Sequence, residues 1–219
     1  MELRQNARTY TASRITKYAI VKRIMDMIVS LFALILLAPV ALIVYLLLYK
    51  TSGTPCLIRE ARIGRANRVF TMWTFRTTTL PSRVIRALPP HPFPKSWKNG
   101  VPDSFTYLVN NRTRTTKIGA FLHKHKLDKL PQFINVLKGD MSLVGPQPEL
   151  PEIADYYNTV QQKRLLIRPG MTGYAQVHGL VQEERHGQKI TDDLYYLRNY
   201  SFQFDMKILM YALVNRKPH

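Results

Sequence analysis

The sequence predicts a mainly α fold with minor β, associated with a membrane from one side: an N-terminal re-entrant helix carrying a small cytosolic domain of amphipathic helices. Three observations predict it. Residues 27–49, MIVSLFALILLAPVALIVYLLLY, carry no charge. Both flanks of that run are basic. The chain beyond it shows apolar residues mostly at helical spacing, with one short stretch rich in β-formers.

A straight helix over residues 27–49 would cover roughly 35 Å, enough to cross a hydrocarbon core. The run is too long and starts too late for a cleaved signal peptide. Pro39 lies in its middle, where it removes a helical hydrogen bond and bends the chain. Arg4, Arg8, Arg14, Lys17, Lys22 and Arg23 precede the run, and Lys50, Arg59, Arg62, Arg65 and Arg68 follow it. Positive flanks favour the cytoplasm. A span satisfies one flank, whereas a helix that enters, bends at Pro39 and returns satisfies both. Asp26, beside Lys22 and Arg23, reads as an interfacial charge paired with its neighbours. The chain divides into residues 1–50, the basic segment and re-entrant helix, and residues 51–219, the cytosolic domain.

The 219 residues hold 32 Lys plus Arg against 14 Asp plus Glu, a formal charge of +18. Such an excess points to polyanionic partners: anionic membrane lipid, phosphorylated ligands or nucleic acid. The apolar run and the lack of a nucleic-acid motif argue against the last. The single Cys56 excludes an internal disulfide and fits a reducing compartment. No Cys/His cluster has zinc spacing.

Val69, Thr71, Trp73 and Phe75 predict a strand or an irregular extended segment. The arginines at 59, 62, 65, 68 and 76 suit attraction to anionic lipid, about 1 kcal/mol each near the surface. They equally suit a phosphate clamp, since guanidinium forks match phosphate oxygens. Residues 81–105 are proline-rich and read as a loop, in which Trp97 is either an interface anchor or a packed residue. Residues 110–126 predict a helix capped by Thr115 or Thr116, with Ile118, Phe121 and Leu122 on its apolar face.

In residues 127–148, LDKLPQFINVLKGDMSLVGPQP, Leu130, Phe133, Ile134 and Leu137 fall at i, i+3, i+4 and i+7. Asp128 stands where an N-cap belongs, Pro131 in the first turn and Gly139 at the end. By spacing alone this is a capped core helix. Residues 151–167 predict another helix, residues 168–180 a loop, and residues 192–213 a helix that either packs or lies in the membrane interface.

The order of these segments resembles the bacterial sugar transferase family, the monotopic phosphoglycosyl transferases. The residues that carry the resemblance are KRIMD before the apolar run, the proline within it, RIGRANRVFTMWTFRT, IGAFLHKHKLDKLPQFINVLKGDMSLVGPQPE and RPGMTGYAQVHG. The resemblance implies an enzyme on the cytoplasmic face of the bacterial inner membrane. It would move a sugar-1-phosphate from a nucleotide diphosphate sugar to polyprenyl phosphate, the first membrane step of exopolysaccharide-type synthesis. In the family an Asp-Glu pair does the chemistry, the Asp as phosphoryl-accepting nucleophile and the Glu as a Mg²⁺ ligand. Asp128 matches the nucleophile, and Arg62, Arg76 and Arg112 match phosphate-binding arginines.

This chain departs from the pattern. Lys129 stands for the Glu, His123 for an Arg, Gln147 for the Arg of Pro-Arg-Pro and Thr74 for a Lys. Asn110 and Asn111 fall where an Asp is usual. Two readings follow. Either Lys129 neutralises phosphate charge directly and the enzyme is active, or catalysis is weakened or lost and the chain is a scaffold in glycan assembly.

Overall fold

The structure is a computed structural model that describes residues 2–79, 97, 99–103, 105, 114–177 and 186–214; side chains are described from residue 18 on, except at 213. Helix α1 (Glu2–Ser52) runs without interruption through Pro39. Its stretch Tyr18–Ser52 is long and apolar enough to cross a membrane. Phe32, Ile35 and Leu36 are 67%, 69% and 63% exposed. Such a surface demands non-aqueous surroundings.

Both ends of the apolar run rest on the same globular body. At the near end Lys22 pairs with Asp205, Tyr18 donates to Asp205 at 2.6 Å, and Asp26 accepts from the Leu143 amide at 3.2 Å. Asp26 is therefore a buried acceptor for a distant backbone amide rather than an interfacial charge. At the far end Val44 and Leu48 enter a cluster with Cys56, Phe75, Leu122 and Leu130.

Strands β1 (Leu57–Ile63) and β2 (Val69–Phe75) form an antiparallel hairpin in which Arg59 faces Trp73. The Arg59 guanidinium lies 4.4 Å from the indole centroid. β1 escaped sequence reading because Arg59, Glu60 and Arg62 break its apolar pattern. Cation–π stacking and cross-strand pairing supply what the pattern lacks.

Helix α2 (Lys117–Lys124) is capped by Thr116, whose hydroxyl accepts from Gly119 N at 2.9 Å. Gly119 is obligatory, since a Cβ there would meet Thr77 O at 1.8 Å. Leu122 is buried and Ile118 packs against the same cluster, but Phe121 is exposed.

A 3₁₀ turn at Leu127–Lys129 leads to α3 (Gln132–Lys138), with Pro131 at its cap and Gly139 at φ 92° closing it. Asp128 sits inside the turn and caps nothing, contrary to the sequence reading. The buried face of α3 is also polar: Gln132 and Asn135 are buried, while Ile134 is exposed. Asn135 accounts for this. It accepts from Trp73 N at 3.1 Å and donates to Thr71 O at 2.7 Å, satisfying the free edge of β2.

Strand β3 (Ser142–Val144) pairs in parallel with β4 (Gly170–Thr172), inside a segment expected to be loop throughout. The helix expected over residues 151–167 is instead α4 (Pro151–Ala154) and a 3₁₀ turn at Gln161–Leu166. Asn158 interrupts it, its side-chain oxygen taking the Val160 and Gln161 amides. After α5 (Tyr174–Val177), the C-terminal helix is two helices, α6 (His186–Arg198) and α7 (Phe202–Val214). Most of the proline-rich segment lies outside the described residues, but Trp97 is buried against Ile153, Tyr157 and Ile190.

Candidate functional site

Asp128 is positioned by its neighbours. Lys126 adopts a left-handed conformation (φ 58°) that ends α2 and starts the 3₁₀ turn. Leu127 and Leu130 then insert beside Phe75 and Leu122. The carboxylate between them is held nearly buried, 8% exposed.

Its Oδ2 lies 3.1 Å from His123 Nδ1, one turn back on α2. Its Oδ1 is buried and makes no hydrogen bond among the described residues. The bond to Asp128 pushes the His123 pKa up, favouring the imidazolium. Burial pulls the Lys129 ammonium down, opposed by the adjacent Asp128 charge. The carboxylate thus has one oxygen held by His123 and the other without a hydrogen bond among the described residues, beside the Lys129 ammonium.

The other expected site residues divide. His123 is joined to Asp128 as described. Arg62 donates to Glu60 Oε2 at 3.1 Å through Nε and at 2.5 Å through Nη2, and to Pro148 O at 3.4 Å. Arg76 is buried and donates to the carbonyls of Ser52 and Gly53, closing the end of α1. Its Nε and Nη1 make no hydrogen bond among the described residues. Gln147 is half-buried and its carbonyl accepts from Arg164 Nη2 at 2.9 Å. Arg112 lies outside the described residues. Among the described residues, then, only His123 bonds to Asp128.

Magnesium favours near-octahedral oxygen coordination, usually with one or two carboxylates, waters and substrate phosphates. Around Asp128 the neighbours among the described residues are the His123 imidazole and the Lys129 ammonium group. No group of three His, Cys, Asp or Glu side chains able to hold a metal occurs among the described residues. This donor set does not fit magnesium.

Sequence reasoning missed a second polar centre, beyond the Ile63 end of the hairpin, where Ile63 bridges to Glu149. Glu149 accepts from Tyr157 Oη at 3.0 Å, Arg164 Nη1 at 3.1 Å and Lys189 Nζ at 3.3 Å. Arg164 also pairs with Asp193 at 2.5 Å. Glu149, Arg164 and Asp193 are each at most 2% exposed. His186 stands 4.0 Å from Glu149, and burial pulls its pKa down to about 4. Burial also lowers Lys189 and raises Asp193. The sequence held no local signal for it, since Arg164 follows Lys163 and Asp193 follows Asp192, as on an ordinary solvated face. This network pins the Gly-Pro-Gln-Pro turn from behind.

The model of the family described as bacterial sugar transferase matches residues 17–216. The UDP-glucose:undecaprenyl-phosphate glucose-1-phosphate transferase of Klebsiella pneumoniae is 34% identical over 195 residues, covering 86% of this chain and 38% of that protein. The UDP-N-acetylgalactosamine-undecaprenyl-phosphate N-acetylgalactosaminephosphotransferase of Aeromonas hydrophila is 32% identical over 197 residues, 88% of this chain and 42% of that one. An uncharacterized sugar transferase of Bacillus subtilis, EpsL, is 33% identical over 192 residues, 87% of this chain and 84% of that one. The chain thus spans about two fifths of the length of the first two relatives. The match runs from the foot of the apolar run, through the turn that holds Asp128, to α7, and by it the chain belongs to the bacterial sugar transferase family.

Proposed function

We propose that the chain transfers a sugar-1-phosphate from a nucleotide diphosphate sugar to polyprenyl phosphate, with Asp128 as nucleophile. The observation that carries this is the Asp128 carboxylate, held by His123 through one oxygen and unpartnered at the other. A carboxylate oxygen of Asp128 attacks the sugar-bearing phosphorus of the donor. The bond from that phosphorus to the bridging oxygen breaks, and the nucleoside monophosphate leaves. A phosphate oxygen of the polyprenyl acceptor then displaces Asp128, forming a diphosphate-linked lipid sugar and restoring the carboxylate. Splitting the transfer means donor and acceptor need not share the site.

Phosphoryl transfer depends on positioning and on neutralising charge over the phosphate oxygens. His123 and Lys129 supply positive charge here. No step is assigned to magnesium, which the donor set does not suit.

The site belongs at the headgroup level of the bacterial inner membrane, on the cytoplasmic face. One observation supports a re-entrant α1. Lys22 and Leu48 dock on the same globular body from opposite ends of the apolar segment. Helix α1 itself is unbroken through Pro39, so the support comes from this docking of both ends on one body.

The altered donor set also favours a second reading, a weakened member that serves as a scaffold. One experiment separates them. The chain in nanodiscs is assayed for nucleoside monophosphate release from a panel of UDP-sugars with undecaprenyl phosphate, with magnesium or with EDTA. Release that vanishes in Asp128→Asn is expected. Release no higher than that variant under both conditions removes the enzyme reading and leaves the scaffold.

A further inference from the structure

A cleft of about 290 Å³ opens at the foot of the apolar run, lined by Arg23, Arg65, Arg168, Asp26 and Tyr200 among others. It lies at the opposite end of α3 from Asp128. Arg23 reaches the α3 carbonyls of Val136 and Leu137, at 2.5 and 2.7 Å, and Arg168 Nε reaches Gly139 O at 2.9 Å.

Three guanidinium groups share this space with one carboxylate, Asp26, whose Oδ1 is already engaged by the Leu143 amide. Lys22 also lines it, but its charge is met by Asp205. Arg65 is exposed, and its side chain makes no hydrogen bond among the described residues. Burial, then Arg23 and Arg65, disfavour the charged form of Arg168, and Asp26 offsets them only in part, as expected for like charges that outnumber their counter-ion. A concave cationic excess of this kind is met by an anion, and guanidinium groups select phosphate oxygens.

The wall of the cleft indicates where that phosphate comes from. Ile20 and Ile24 of α1 line it and are 62% and 55% exposed. The uncharged run begins at Met27, less than a turn beyond Ile24. A soluble phosphate would leave these isoleucines in water, whereas acyl chains would cover them. We propose that this cleft binds the phosphate group of a membrane phospholipid, seated by Arg23, Arg65 and Arg168. The site is separate from the reaction at Asp128 and does not rest on it. Because Arg23 and Arg168 also hold the end of α3, a lipid seated there would tie the depth of the domain in the membrane to the helix that follows the nucleophile.

The test is native mass spectrometry of the full chain in detergent, titrated with dioleoyl phosphatidylglycerol. One retained lipid per chain is expected, with retention about tenfold weaker in Arg65→Gln, the size of one lost charged hydrogen bond. Arg65 supports no other group, so this variant keeps its fold, and an unchanged melting temperature checks that. Arg65→Lys should recover part of the loss. Lipid retention equal in wild type, Arg65→Gln and the Arg65→Gln/Arg168→Gln double variant overturns the proposal. Displacement of the lipid by millimolar inorganic phosphate also overturns it, and assigns the cleft to a soluble phosphate.

Discussion

Lys22 on α1 and Asp205 on α7 form a buried ion pair although 183 residues separate them. Tyr18 and Tyr196 each donate a hydroxyl to the same carboxylate, at 2.6 Å. The membrane helix is thus locked to the last helix through one fully satisfied acid. Removing one partner of a buried pair leaves an uncompensated charge, at a cost of about 3–5 kcal/mol. Lys22→Met should therefore lower the melting temperature sharply in detergent. Lys22→Met combined with Asp205→Leu should recover much of the loss. A single variant as stable as wild type would show that the tyrosines alone satisfy Asp205.

His123 should make catalysis pH-dependent in a defined direction. Its folded-state pKa is raised, so its positive charge is complete below the unfolded value near 6.5 and is lost as pH rises through the folded value. Nucleoside monophosphate release should fall along that alkaline limb. His123→Gln should flatten the limb while leaving some activity, because Lys129 remains. A pH–rate profile on both proteins measures this.

The Arg164 network predicts a folding defect. Arg164→Met would take a guanidinium from beside buried Glu149 and Asp193 and would release the Gln147 carbonyl. The expected destabilisation is about 3–5 kcal/mol, read as loss of the folded fraction in limited proteolysis.

His186 predicts acid sensitivity. Its pKa is near 4 when folded, against about 6.5 unfolded, so the unfolded chain binds the extra proton first. Stability should fall as pH drops from about 6.5 toward 4, by up to about 3 kcal/mol from this group. His186→Gln should remove that component of the pH dependence in denaturant titrations.

The placement of α1 can be tested by labelling. In a Cys56→Ser background, single cysteines replacing Lys17 and Thr51 should react with an impermeant reagent from the same side of sealed vesicles. Reaction from opposite sides would establish a span.

Some of this protein was legible in the sequence, and the reasons are local. The apolar run and a threonine cap at 115 or 116 depend on neighbours within a few residues, and the fold uses Thr116 for the cap, while α1 runs on through Pro39 without a break. The strand over Val69–Phe75 was visible, while its partner Leu57–Ile63 was hidden by charges that only pairing satisfies. The buried face of α3 was misread because Asn135 is buried for its bonds to β2, a relation no periodicity carries. Arg62 and Arg76 were read for their charge, and the fold engages that charge with Glu60 and with the end of α1.

By itself the sequence determined a membrane-seeking helix and a strongly basic chain, because composition and short spacing encode these directly, and its resemblance to the sugar transferase family singled out Asp128. Tertiary structure decided what surrounds that aspartate. It brought His123 to one carboxylate oxygen and left the other free. It buried Glu149, Arg164 and Asp193 together and gathered Arg23, Arg65 and Arg168 around a cleft. The physical reason is that charge is costly to bury alone, so its partners are set by long-range packing rather than by spacing along the chain.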